Sequence, residues 1–305
     1  MVDMTTAETA LWRKNEDWVV AEEDEAFLAR LEADASLLDP EQVRERLDVL
    51  DALDVRFGDL GRFGKDTDSR NHRRAAAIRS RLEAVHAELC ASIRSAVMRG
   101  DPASALLQWI GDSTGNEGNR APGLGFDFQD ELLCDVLQFR EPSAANLNRV
   151  PERMFYQPTP VCHILRLFRA SGLTADDVLV DLGSGLGHVS LLASMLAGAR
   201  SVGVEVEAAY VASARECAES LNLAGVEFIH EDARAADLSG GTVFYLYSPF
   251  TGSMLAEVLE RLREESMLRP IKICTLGPCT CVIARERWVT ARERPDPGQI
   301  TVFES

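Results

Sequence analysis

The residues whose types and spacing could do chemistry begin at Asp181, in the run D-L-G-S-G-L-G-H that places glycines at 183, 185 and 187 directly behind the apolar Val178-Leu179-Val180. Glycine suits a tight turn whose backbone angles strain other residues and whose main chain must let a ligand come close. A helix opening after such a turn offers unpaired N–H groups and the positive end of its dipole. Glu205 stands 20 residues after Gly185, where a carboxylate can accept both hydroxyls of a ribose. Glu231 and Asp232 follow a further β-rich run, where an acid can accept from an adenine amino group. Tyr247-Ser248-Pro249-Phe250 follows the next one, over the place of a cofactor's reactive end.

A glycine turn with a distant acid also suits NAD. Three details favour another ligand. The glycines run G-S-G-L-G and not G-x-G-x-x-G, so the third comes one residue early for a pyrophosphate. Asp181, two residues before the first glycine, would repel a diphosphate but suits an ammonium group. The chain ends in what reads as an antiparallel hairpin, with no second nucleotide-binding half.

The elements that must position these residues follow from pattern. Strands are expected at Val178–Leu182, Ser201–Glu205, Val226–His230, Thr242–Tyr247 and Ile271–Leu276. Helices are expected at Val161–Ser171, Val189–Leu196, Ala208–Leu221 and Gly252–Glu265. This alternation predicts an α/β fold: a doubly wound, mostly parallel, Rossmann-like sheet closed by an antiparallel hairpin, Cys281–Arg292 with Ile300–Glu304. Residues 1–150 read as an all-helical N-terminal domain and 151–305 as the ligand-binding domain. In the first, Trp12, Trp18, Phe27, Leu28 and Leu31 are expected to be buried, and Asp39-Pro40-Glu41 to start a helix with Asp39 as its N-cap. Val43, Leu47, Leu50, Leu53 and Phe57 then recur at helical spacing, as do Ile78, Leu82, Val85, Leu89, Ile93 and Val97 in a longer helix from about Ser69 to Arg99. Shorter helices are expected after Asp101-Pro102 and over about Phe128 to Phe139. Residues 111–126, with five glycines, read as a long loop, either a surface linker or a lid over the acceptor.

On V-L-V-D-L-G-S-G-L-G, V-G-V-E-V-E and E-D-A-R, residues 155–305 resemble a class I S-adenosylmethionine-dependent methyltransferase. The glycine loop is also similar to that of histone-lysine methyltransferases lacking a SET domain, although the Asn-Asn-Phe of that family is absent after the fourth strand. The resemblance implies S-adenosyl-L-methionine as cofactor and assigns roles. Gly183, Ser184, Gly185 and Gly187 would pack against its methionine part, and Asp181 would lie near the ammonium. Glu205 would hold the ribose, and Asp232 with Ala233 the adenine. Tyr156 and Thr159 would close over the methionine end. The same family often carries (Asn/Asp/Ser)-Pro-Pro-(Tyr/Phe) after the fourth strand when it methylates planar amines. Here Tyr-Ser-Pro-Phe lacks the second proline, so Tyr247, Ser248 and Phe250 become the substrate-side wall, with a nitrogen acceptor favoured over oxygen.

His188 is either a general base or a helix residue near the cofactor's carboxylate, while His163 and His230 read as packing residues. Cys274, Cys279 and Cys281 lack an obvious fourth partner for zinc, and strand alternation would put the last two on one buried face, so no metal is expected. Seven scattered cysteines, an amino terminus without a signal pattern and no apolar run of membrane-spanning length predict a cytoplasmic protein with reduced thiols. A net charge of −17 disfavours a nucleic-acid partner, although residues 61–100 carry 9 bases against 4 acids. Residues 1–60 carry 17 acids against 6 bases, a surface on which a basic partner could dock. The leading expectation is a methyltransferase for a small molecule or peptide. A protein-lysine methyltransferase and a cofactor-binding scaffold are the alternatives, and an oligomer is possible.

Overall fold

A computed structural model describes residues 23–58, 70–111, 126–140 and 157–305. Trp12, Trp18, Tyr156 and nearly all of the glycine-rich segment 111–126 lie outside them. Packing divides the chain into two units, 1–90 and 91–305, with the division inside one long helix. Two helices that the sequence groups with the N-terminal region therefore belong to the unit that holds the sheet.

The first unit contains α1 (Asp24–Ala33), a 3-10 turn (Ala35–Leu38), α2 (Val43–Phe57) and the start of α3 (Arg70–Met98). Phe27, Leu28, Leu31, Leu37, Leu53, Phe57, Ala75, Ile78 and Leu82 form one core, as the helical spacing predicts. The start of α2 differs from expectation. Asp39 accepts from the Glu41 N–H in a local turn, and the helix begins at Val43 after Gln42. The fully buried Arg46 sets this entry, donating to the Leu37, Asp39 and Pro40 carbonyls, which a helix begun at Pro40 would have oriented elsewhere.

In the second unit α4 (Pro102–Ile110), α5 (Phe128–Leu137) and α6 (Val161–Ser171) precede the sheet. Its strands are β1 (Val178–Leu182), β2 (Arg200–Glu205), β3 (Val226–His230), β4 (Val243–Tyr247), β5 (Lys272–Leu276), β6 (Thr290–Ala291) and β7 (Thr301–Glu304). Their order is β3-β2-β1-β4-β5-β7-β6, with the first five parallel and β7 antiparallel to both neighbours. The order reverses between β1 and β4, which opens a crevice at their carboxyl ends. The helices α7 (His188–Leu192), α8 (Ala208–Ser220) and α9 (Gly252–Leu268) make the crossovers. A π turn, Ala193–Ala197, extends α7. Val180, Leu182, Phe244 and Leu246 alternate onto one face of the sheet and pack with Leu255, Val258, Leu259 and Leu262 of α9. Asp181 and Tyr245 fall on the other face by the same alternation, paired in register.

The end of the sheet departs from the expected closing hairpin. Of the segment 281–292 only Thr290–Ala291 forms a strand against β7, the sheet stays open, and Cys279–Ile283 forms a short helix, α10. A short apolar run such as C-T-C-V-I fits helix and strand alike, and Gly277-Pro278 breaks the chain after β5. The helix turns Cys279 inward and leaves Cys281 exposed, so the two do not share a buried sheet face. At the opposite edge, β3 has no strand beyond it among the described residues, and Arg215 of α8 donates Nε and Nη2 to the Phe228 carbonyl. Among the described residues no helix is long and apolar enough to cross a membrane.

Phe228 lies under the glycine turn. A Cβ at Gly187, where φ is +86°, would stand 2.4 Å from its ring. Gly187→Ala therefore adds a left-handed backbone penalty to a steric one, and should lower unfolding free energy by about 2 kcal/mol or more. Urea titration of the variant against wild type measures this; equal midpoints would refute the packing argument.

Candidate functional site

The turn after β1 is built by its neighbour. The Gly183 and Ser184 N–H groups both donate to the Val204 carbonyl of β2, at 2.9 and 3.1 Å. Gly183, Gly185 and Gly187 all have positive φ, which explains the spacing of alternate glycines. Gly183 has a second reason: a Cβ there would meet the Pro249 ring at 2.3 Å, so the turn lies directly against the loop that leaves β4. The Ser184 hydroxyl is buried without a hydrogen-bond partner among the described residues and packs over Gly203, whose absent side chain leaves it room.

Glu205, at the carboxyl end of β2, is buried and organises the loop above it. One carboxylate oxygen accepts from the Gly185 N–H at 2.9 Å, and the other from Val206 and Glu207 at 2.7 and 2.8 Å. Two carboxylate oxygens offer about four acceptor positions, so capacity remains for a ligand hydroxyl. Asp181 is also buried, and no side chain or backbone group of the described residues hydrogen-bonds its carboxyl. Burial, with Glu205 nearby, pushes its carboxyl up to about 8. A buried acid beside a second acid is poised to take a cationic ligand.

On β4, Tyr245 pairs with Asp181, and its hydroxyl lies 3.1 Å from that of Thr159, just before α6. Asp130 of α5 anchors the same segment by accepting from the Val161 N–H at 2.7 Å. Tyr247 ends β4 half-buried, and burial raises its phenol above the ordinary tyrosine value, keeping it protonated. Thus Thr159, Asp181, Gly183, Gly185, Glu205 and Tyr247 converge at the carboxyl ends of β1, β2 and β4.

Other expected residues are used differently. The Ser248 hydroxyl donates to the Leu276 carbonyl and accepts from the Cys279 N–H, and Phe250 lies in the core with Leu182 and Leu246. Both face the fold's interior, leaving Tyr247 as the accessible member of the expected wall. His188 sits beside Cys134 and Phe139 of the α5 region, its ring 4.6 Å from that of Phe139, and burial holds it down to about 4. His230 is exposed, its Nε2 3.0 Å from the Val206 carbonyl, so it is not the packing residue expected. Asp232 is engaged by Arg234, which bonds both carboxylate oxygens and also approaches Glu257. Ala233 is buried, with its carbonyl bonded to Arg261. Tyr156 cannot be placed, lying outside the described residues. Sequence reasoning missed Tyr245 and Phe228, and quoted Pro249 and Arg234 within motifs without giving either a role. For Tyr245 a signal existed: a tyrosine inside an otherwise apolar strand must find a partner for its hydroxyl.

Residues 154–232 match the family model described as Histone methylation protein DOT1, in agreement with the resemblance drawn from the glycine loop. No curated protein matches the chain. Among solved structures, an RNA methyltransferase from Salinibacter ruber, in complex with S-adenosyl-L-homocysteine, is similar at 29% identity, over 48% of this chain and 92% of its own, with a TM-score of 0.39. The human methyltransferase 10 domain containing protein is 17% identical over 57% and 92% of the two chains, with a TM-score of 0.39. A SAM-dependent methyltransferase from Aquifex aeolicus is 16% identical over 46% and 88%, also with a TM-score of 0.39.

The buried acid and imidazole leave opposite signatures on stability. Asp181 binds a proton in the folded state up to about pH 8 but in the unfolded state only to about 3.8, so its ionisation removes stability as pH rises through that window. His188 titrates near 4 folded and 6.5 unfolded, so it removes stability as pH falls between them. Because the two oppose each other in the lower part of the range, the difference between Asp181→Asn and wild type isolates the first. The variant should gain on wild type by up to about 1.4 kcal/mol per pH unit between roughly pH 4 and 8 and level off above. Denaturation across pH measures it; a difference independent of pH would exclude the assignment.

Proposed function

We propose that the chain is an S-adenosylmethionine-dependent methyltransferase whose acceptor is a small molecule or peptide, with nitrogen favoured over oxygen. The observation that carries the cofactor is the pairing of a buried carboxyl with no hydrogen-bond partner among the described residues, Asp181, with the glycine turn and the carboxylate of Glu205. The residues fit the group. Asp181 suits an ammonium, the turn admits a ligand to the main chain, and Glu205 keeps acceptor capacity for ribose hydroxyls. Asp232, held in place by Arg234, would face the adenine amino group. When bound, the cofactor supplies an electrophilic methyl group on sulfur for in-line displacement.

The chain's contribution is alignment. Thr159 and the segment before α6 would cover the methionine end, and Tyr247 would orient the acceptor as a protonated phenol that donates or accepts a hydrogen bond. An amine that arrives with its lone pair free needs orientation more than a base. The position of His188 against Phe139, and its low affinity for protons, favour a packing role under the turn over a general base. The net charge of −17 supports an acceptor that is not a nucleic acid. The family-model match over 154–232 supports a second reading, a protein-lysine acceptor, for which the acidic first 60 residues would offer a docking surface.

Calorimetry should detect S-adenosylmethionine and S-adenosylhomocysteine binding, with NAD far weaker. Failure of both adenosyl ligands, or preference for NAD, would overturn the cofactor assignment. Transfer of labelled methyl from the cofactor by the full-length chain then separates the acceptors. Label in small amines or short peptides supports the first reading, label confined to intact basic proteins the second, and label in RNA would refute both.

A further inference from the structure

Tyr245 lies in the middle of the sheet with 1% of its surface exposed, where phenylalanine would fill the same volume without a hydroxyl to satisfy. That hydroxyl has one partner among the described residues, the Thr159 side chain at 3.1 Å. Thr159 is itself 8% exposed and belongs to no helix or strand. It stands two residues before Val161, whose N–H is held by Asp130 at 2.7 Å, so the segment entering α6 is fixed at two points from two different elements. The first comes from below, through β4, and the second from α5. Tyr245 is also the residue that pairs across the switch point with Asp181.

We infer that Tyr245 is a positioning residue for the methionine end of the cofactor: through Thr159 it fixes the segment entering α6 beside the Asp181 carboxyl. The inference rests on the cofactor reading above and adds to it a residue that touches no ligand. Its physical content is preorganisation. A covering segment held in its bound conformation before the ligand arrives loses less entropy on binding. A buried hydroxyl pair whose second member also reaches the ligand side transmits that order from the sheet to the site. Burial holds the Tyr245 phenol far above its ordinary value, so it remains an O–H group through the working pH range.

The test is a double-mutant cycle in the full-length chain, read by calorimetry with S-adenosylhomocysteine and by urea denaturation of the free protein. Tyr245→Phe should weaken binding about tenfold, the loss expected for one hydrogen bond to an ordering contact. Thr159→Val should do the same, and Thr159→Ser, which keeps the hydroxyl, should recover most of that loss. The double variant should bind about as well as the weaker single one, because both changes cut the same link. Binding by Tyr245→Phe within about twofold of wild type, with only the denaturation midpoint lowered, would show a purely structural hydroxyl and overturn the inference. So would a double variant whose loss is the product of the single losses. Wild-type protein that fails to bind S-adenosylhomocysteine would instead sink the cofactor reading, which the two sets of outcomes keep apart.

Discussion

The Glu205 carboxylate holds the site together. Its three N–H donors come from Gly185 on one side and from Val206 and Glu207 on the other, so one buried side chain joins the glycine turn to the start of the β2–α8 connection. With the Val204 carbonyl taking the Gly183 and Ser184 N–H groups, the turn is satisfied by β2 before any ligand is present. The same negative charge works against the ionisation of Asp181 on the adjacent strand. Burial is the larger reason that Asp181 keeps its proton, and the acid that shapes the turn adds to it.

Around that staple the strand ends interlock through contacts that glycine alone permits. Pro249 occupies the space where a Gly183 side chain would be, and the Ser248 hydroxyl the space where a Gly277 side chain would be, at 2.6 Å. Ser248 itself has a positive φ of 41°, a strained choice for serine that its bonds to Leu276 and Cys279 offset. The loop leaving β4 is thus wedged between the turns after β1 and β5, and Tyr247 inherits its position from both. Rigidity at this point comes from backbone proximity, not from large side chains.

Much of this was legible in the sequence. Glycine placement, the acids at strand ends and the alternation of β-rich and helical runs report local backbone demands, and β1, β3 and α6 fall on their expected bounds. Runs without a period were misread. Cys279–Ile283 could be strand or helix until its N–H groups were assigned partners on Ser248 and the turn after β5. Side-chain direction was the other limit. Nothing in Tyr-Ser-Pro-Phe says that Ser248 and Phe250 turn inward while Tyr247 stays half-exposed, because that depends on Gly277 and on α9 packing, far along the chain. Arg46 likewise displaced a helix start whose local cap signal was sound, through carbonyls reached only in the folded unit.

The contact between Arg215 and the Phe228 carbonyl has a consequence for how the molecule behaves in a crowded solution. An outermost strand exposes main-chain groups to which another chain can pair, and β3 is such a strand. Arg215 occupies one of its acceptors with two N–H groups and sets a positive charge against any approaching strand. The residue so protected is the one whose ring supports Gly187, so the barrier to association and the floor of the glycine turn belong to one residue, its carbonyl serving the first and its ring the second. Colloidal stability and ligand readiness are thereby linked at one edge of the sheet, and loosening that edge would expose the chain to self-pairing while it unseats the turn.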